Sequence, residues 1–216
     1  VAFERKLMKL QQYPVIGKVG QEGGYAANLT LNQLAAVILD NATATTYHSD
    51  ASGIALLSAS HVCHGEGALV WNNIVSSNAA LGYAALQDAF VVGANVKNLR
   101  GYPQPKYVPV RLLVTPTKMN TAKVLVNTPY KPGSTDNDIN SFFKELTYDV
   151  NHFMTQSNYW FLFAKEWNIT IAFLEKFETD TWVDNNTKSL ISRFSMWFLH
   201  GLMDQVYGVY GSTGAA

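Results

Sequence analysis

Apolar residues recur at helical spacing in three stretches of the chain. Thr30 with Gln33 fits a capping box, and Leu31, Leu34, Ala35, Ile38, Leu39 and Ala42 then follow one helical face, predicting a helix over about 31–42. Ala79, Tyr83, Leu86, Phe90 and Gly93 predict a second helix, with Lys97 and Arg100 near an end where the dipole favours cations and Gly101 as its stop. Thr115 and Pro116 set a capping hydroxyl before a proline at the first helical position, and Met119, Ala122, Lys123 and Val126 carry a third helix towards Pro129. Strand patterns occupy Val108 to Val114 and, rich in aromatic and β-branched residues, Tyr159 to Ala164, Ile169 to Phe177 and Leu190 to Leu199. Tyr13 to Gly24, with four glycines and no helical period, reads as a flexible loop or hairpin. Helices come early and sheet late, which predicts one compact α+β unit.

Charge changes this picture more than size does. The 216 residues carry 16 basic and 16 acidic side chains, only 15% of the chain, against about 25% in an ordinary domain. A nucleic-acid binder normally shows a basic excess, and none is present. With 48% hydrophobic residues and 5 Trp, 11 Tyr and 11 Phe the sequence can build a core, which argues against disorder. No apolar run reaches the roughly 18 residues that a membrane span needs, so no membrane partner is expected. Cys63 is the sole cysteine and excludes an internal disulfide. The start at Val1, without Met or a secretory pattern, is the start expected of a fragment or a proteolytically matured product.

Candidate chemistry is sparse. His61, Cys63 and His64 are ordinary zinc ligands, but a second donor pair is missing and His48, His152 and His200 are scattered singly. Asp50, Ser60 and His61 contain the residue types of a nucleophilic triad. The Gly-x-Ser-x-Gly turn is absent, and adjacent Ser60 and His61 on an extended segment point to opposite faces. The glycines after Gly17 lack the Gly-Lys-Ser/Thr ending of a phosphate loop. Asp136 with Asp138, and Glu175 with Glu178, lack a calcium-loop pattern. No catalytic residue, cofactor or metal is therefore expected. A hydrolase built on Asp50, Ser60 and His61, or on Cys63 and His64, and a sugar-binding β-rich module resting on the aromatics, stand as the alternatives.

The order of short motifs is more informative. Ser52 to His61, Ser77-Asn78, Leu81 to Phe90, Leu113 to Pro116, Ala122 to Val126, Asn137 to Asn140, Tyr159 to Leu162, Arg193 to Ser195 and Gly208 to Gly214 follow one another along the chain. This order resembles the major capsid proteins of tailed bacteriophages with the Hong Kong 97-type fold, over about residues 29–214. The resemblance implies an α+β Hong Kong 97-like fold with peripheral and axial domains, an N-terminal arm and extended loop, and a short or truncated spine helix. Its domain map is 1–28 arm and extended loop, 29–114 peripheral domain, 115–190 mainly axial domain, and 191–216 a C-terminal strand and tail.

It further implies a non-enzymatic subunit that self-assembles into pentamers and hexamers of an icosahedral shell enclosing double-stranded DNA, in the virion after assembly in the host cytoplasm. Scaffold, portal, decoration proteins and a maturation protease are the expected partners, and the DNA would be contacted weakly and non-specifically. Tyr13, Lys18, Glu22, Tyr25, Lys131 and Asp136 are the expected subunit contacts. Balanced charge suits copies that must pack edge to edge without accumulated repulsion.

Overall fold

A computed structural model describes residues 2–3, 13–46, 53–63, 69–98, 100–134, 137–167, 169–202 and 206–214. The element order is β1 (Ala2–Phe3), α1 (Tyr13–Asp40), β2 (His61–Val62), β3 (Val70–Trp71), α2 (Tyr83–Ala94), β4 (Pro109–Val114), α3 (Met119–Asn127), β5 (Thr147–Val150), β6 (Trp160–Ala164), β7 (Ile169–Val183), β8 (Leu190–Leu202) and β9 (Val209–Ser212). Helices and sheets mix as the sequence predicts for an α+β chain. They form two compact units, however, not one. The first comprises 1–35 and 169–201, the second 36–168 and 202–216.

The second unit is built on a four-stranded sheet of order β5-β4-β6-β9. β4 runs parallel to β5, with Arg111 opposite Thr147, and antiparallel to β6, with Leu112 opposite Leu162. β9 completes the sheet antiparallel to β6, with Leu162 opposite Tyr210. All five residues of β6 are buried, the state of a strand covered on both faces. Each large side chain so removed from water contributes roughly 1.5–3 kcal/mol. α2 packs on β9, and α3 on β4 and β5. The absence of a side chain at Gly93 sets the α2 approach: a Cβ there would lie 3.3 Å from the Tyr210 ring. Pro109 cannot donate to the ladder, and the β4–β6 register shifts between Pro109 and Arg111.

Helix ends in this unit are closed by side chains. The last carbonyls of a helix lack intrahelical partners. Asn140 Nδ2 donates to the carbonyls of Leu125 (2.7 Å) and Thr128 (2.8 Å) at the end of α3, while its Oδ1 accepts from Phe142 N–H (3.0 Å). At the end of α1 Asn41 Nδ2 donates to the Val37 carbonyl (2.9 Å), and the Asp40 carboxylate ties the helix end to the loop between β5 and β6 by accepting from the Thr155 N–H and hydroxyl (2.8 and 2.7 Å) and from Gln156 N–H (3.2 Å). α2 spans 83–94, shorter than the sequence predicts, because Asn95 closes it: its N–H and Nδ2 both return to the Val91 carbonyl. Gly101, expected as the stop, serves a later turn at φ +82°.

The first unit joins most of α1 to a three-stranded sheet of order β1-β8-β7. β1 is short and pairs antiparallel with β8 through Ala2–Ile191 and Phe3–Leu190. β7 and β8 are long, 15 and 13 residues, and run past the expected ends at Phe177 and Leu199. The turn between them is held by Asp184, whose N–H donates to the Ser189 carbonyl (2.9 Å). Its carboxylate accepts from the Thr187 hydroxyl (2.7 Å) and Asn186 N–H (3.0 Å).

The largest correction concerns α1. Residues 13–24, read as a flexible loop within the 1–28 arm, are helical, and the helix expected at 31–42 runs from Tyr13 to Asp40. Each interior glycine costs about 1 kcal/mol in helix propensity, which is why the pattern looked unhelical. Pro14 falls in the first turn, where a missing N–H is harmless. Gly23 contributes packing: a Cβ there would lie 3.0 Å from the Phe194 ring on β8, so its absence admits the aromatic against the helix backbone.

Candidate assembly surfaces

The described members of the hydrolase constellation have structural surroundings of their own. His61 is buried, its Nε2 3.0 Å from Asn73 Oδ1 and its ring stacked on Trp71 at 4.6 Å. Ser60, just before β2, is exposed, and its N–H donates to Ser58 Oγ. Asp50 and His64 lie outside the described residues. Cys63 is buried. Among the described residues no group of three or more His, Cys, Asp or Glu side chains converges as a metal site would require.

What this region does instead is hold the core. Fully buried Asn73 donates through Nδ2 to the Leu56 carbonyl (2.7 Å) and accepts through Oδ1 from Ser58 N–H (2.8 Å). The Trp71 ring continues into Tyr207 and Tyr107 by stacking at 5.5 and 5.7 Å. The Tyr210 hydroxyl donates to the Tyr107 carbonyl (2.8 Å), and burial pushes its phenol above the ordinary value. No single residue of this network stands out in the sequence; Asn73 could have been found only by noticing a polar residue beside Trp71 in an apolar run.

Three of the expected contact residues come together on α1. Lys18, Glu22 and Tyr25 are spaced by four and three, which puts them on one helical stripe, and all are exposed, Tyr25 at 63%. Tyr13 opens the same helix. Lys131 sits in the second unit, its ammonium 5.2 Å from the Tyr83 ring, so it belongs to a local loop and not to the α1 stripe. Asp136 lies outside the described residues. In the same loop Ile139 is 82% exposed.

The ribbon of β7 and β8 is a surface that none of the expected contact residues belongs to. On the side facing α1, Phe177 stacks with Phe194 and Phe173 meets Phe198. A shallow groove of about 350 Å³ remains between helix and ribbon, walled by Ala27, Leu31, Phe173, Phe177 and Met196. Leu174 and Trp197 are 68% and 65% exposed, and Leu199 and Trp182 are exposed too. Arg193 bonds Asp180 at 2.6 Å and lies over the Trp182 ring. Such apolar exposure on a strand marks an interaction surface.

A family model described as phage capsid protein matches residues 1–201. The chain belongs to the phage capsid protein family. Comparison with curated proteins gives no match. As a capsid protein the chain is a structural component of the bacteriophage virion, and its working state is a shell of many copies. The match takes in the whole of the first unit, ribbon included.

Proposed function

We propose that this capsid protein has the Hong Kong 97-like fold and closes into pentamers and hexamers of an icosahedral shell around double-stranded DNA. The observation that carries the reading is the first unit. A long helix backed by a long ribbon is what a peripheral domain requires, and the ribbon leaves large apolar side chains exposed that a free monomer would bury. In this reading α1 is the spine helix, and the peripheral domain is 1–35 with 169–201. The unit of 36–168 with 202–216 takes the axial role, so the map expected from sequence (1–28, 29–114, 115–190, 191–216) is redrawn at these boundaries.

Lys18, Glu22, Tyr25 and Lys131 keep their proposed role as subunit contacts, together with Tyr13 and Asp136. Ring closure follows from heterologous contacts repeated by rotation. Assembly would take place in the host cytoplasm with scaffold, portal, decoration proteins and a maturation protease as partners, and the packaged DNA would be held weakly. Electron microscopy of the expressed protein with its scaffold tests the reading. Closed shells or rings are expected, and a strictly monomeric species under every assembly condition overturns it.

A further inference from the structure

β7 lies at the edge of its sheet, and among the described residues no strand pairs beyond it. It is 15 residues long, and none of them is buried. A long edge that exposes Phe173, Leu174, Trp182 and Val183 is a template for pairing with another strand. Its charges decide which strand. Lys176, Glu178 and Asp180 occupy successive positions of one face, one positive and two negative, and Glu175 stands on the other.

We propose that β7 pairs antiparallel with β7 of a second copy about a two-fold axis at Phe177. This rests on the shell reading and adds to it an isologous contact, the kind that joins one ring to the next. When both sheets keep the same face outward, a two-fold axis passes through a residue. Centring on Glu175, Lys176 or Glu178 sets that charge against its own copy, and centring on Thr179 sets Glu178 against Asp180. Like charges directly opposite are destabilising. Centring on Phe177 sets Lys176 opposite Glu178 twice, with Glu175 opposite Thr179, Ala172 opposite Trp182 and Ile171 opposite Val183. In that register Lys176 and Glu178 are complementary and no like charges stand opposite one another, while Asp180, already paired with Arg193, stands opposite Leu174.

Charge reversal in the full protein tests the register. Glu178→Lys and Lys176→Glu each turn two attractive pairs into two repulsive ones, so each should lower the fraction sedimenting as particles about tenfold at low salt. The double variant restores both pairs and should recover to within about twofold of wild type. As an independent readout, Glu175→Cys with Thr179→Cys should crosslink copies within assembled particles, because opposed Cα atoms about 4.5–5.5 Å apart fall within disulfide reach. Either cysteine alone should not. Single reversals that assemble like wild type, or a double variant as impaired as the singles, overturn the pairing while a particle-forming wild type leaves the capsid reading standing. A wild type that stays monomeric overturns both.

Discussion

β6 and β7 follow one another along the chain and both carry large aromatic and aliphatic residues, although β7 also carries Glu175, Lys176, Glu178 and Asp180. Trp160 to Ala164 of β6 are all buried, whereas no residue of β7 is. β6 uses its apolar area when the subunit folds, whereas β7 still exposes Phe173, Leu174, Trp182 and Val183 once folding is complete. In a protein whose working state is a shell, the apolar content of a strand therefore says how much area is available for burial and not how much of it folding buries.

The comparison breaks most easily at its extremes. Trp160→Ala should cost about 3–5 kcal/mol in a urea titration of the unassembled subunit, since it empties a fully buried site and removes the bond from Trp160 Nε1 to the Ala79 carbonyl. Trp197→Ala, on the exposed ribbon, should change the same titration by less than about 0.5 kcal/mol and yet lower particle yield. Equal effects of the two on the free subunit would erase the distinction. Asn73→Ala should fall between them at about 2–3 kcal/mol, because Leu56, Ser58 and His61 each lose a buried partner.

Smaller effects sharpen the account of α1. Gly20→Ala meets nothing within 4 Å and should stabilise the helix by about 0.5–1 kcal/mol. Gly23→Ala should forfeit that gain, because its Cβ meets the Phe194 ring at 3.0 Å. Thermal melts of the two variants side by side decide it. If both stabilise equally, the ribbon does not lean on Gly23.

The smallest effect lies at the ribbon tip. The Thr187 hydroxyl, then the Asn186 N–H, hold the Asp184 carboxyl below its ordinary value. A depressed folded value contributes stability above the ordinary carboxylate range and loses it as pH falls through the folded one. The protection of the Asn186 amide against hydrogen exchange, taken relative to its intrinsic rate, should therefore fall on acidification from about pH 5 to pH 2. Asp184→Ala should flatten that dependence.

Sequence periodicity was enough to place β4, β6, β7, β8 and the third helix, because each is marked by a strand pattern or by a capping residue before a proline. It failed at α1 because propensity is local. Gly17, Gly20, Gly23 and Gly24 lower helix preference one by one, while the Phe194 ring that Gly23 admits comes from a residue far along the chain. It also missed β1, β2, β3, β5 and β9, which at two to four residues are too short to show a period. The choice of Lys18, Glu22 and Tyr25 reached a shared exposed stripe, although they were read as part of a loop. The ribbon's role was not legible, since Trp197 and Phe161 carry the same apolar signal and only the fold separates them.

Cys63 gives the second unit a clock of its own. It is the only thiol in the sequence and is buried beside the β2–β3 hairpin, its N–H donating to the Leu69 carbonyl at 2.9 Å. A buried thiol stays inert until its surroundings open. The rate at which a small thiol reagent labels Cys63 therefore counts openings of that unit, with the ribbon contributing no signal. Followed from free subunit to finished particle, one labelling curve would report how much the lattice slows the core's own opening.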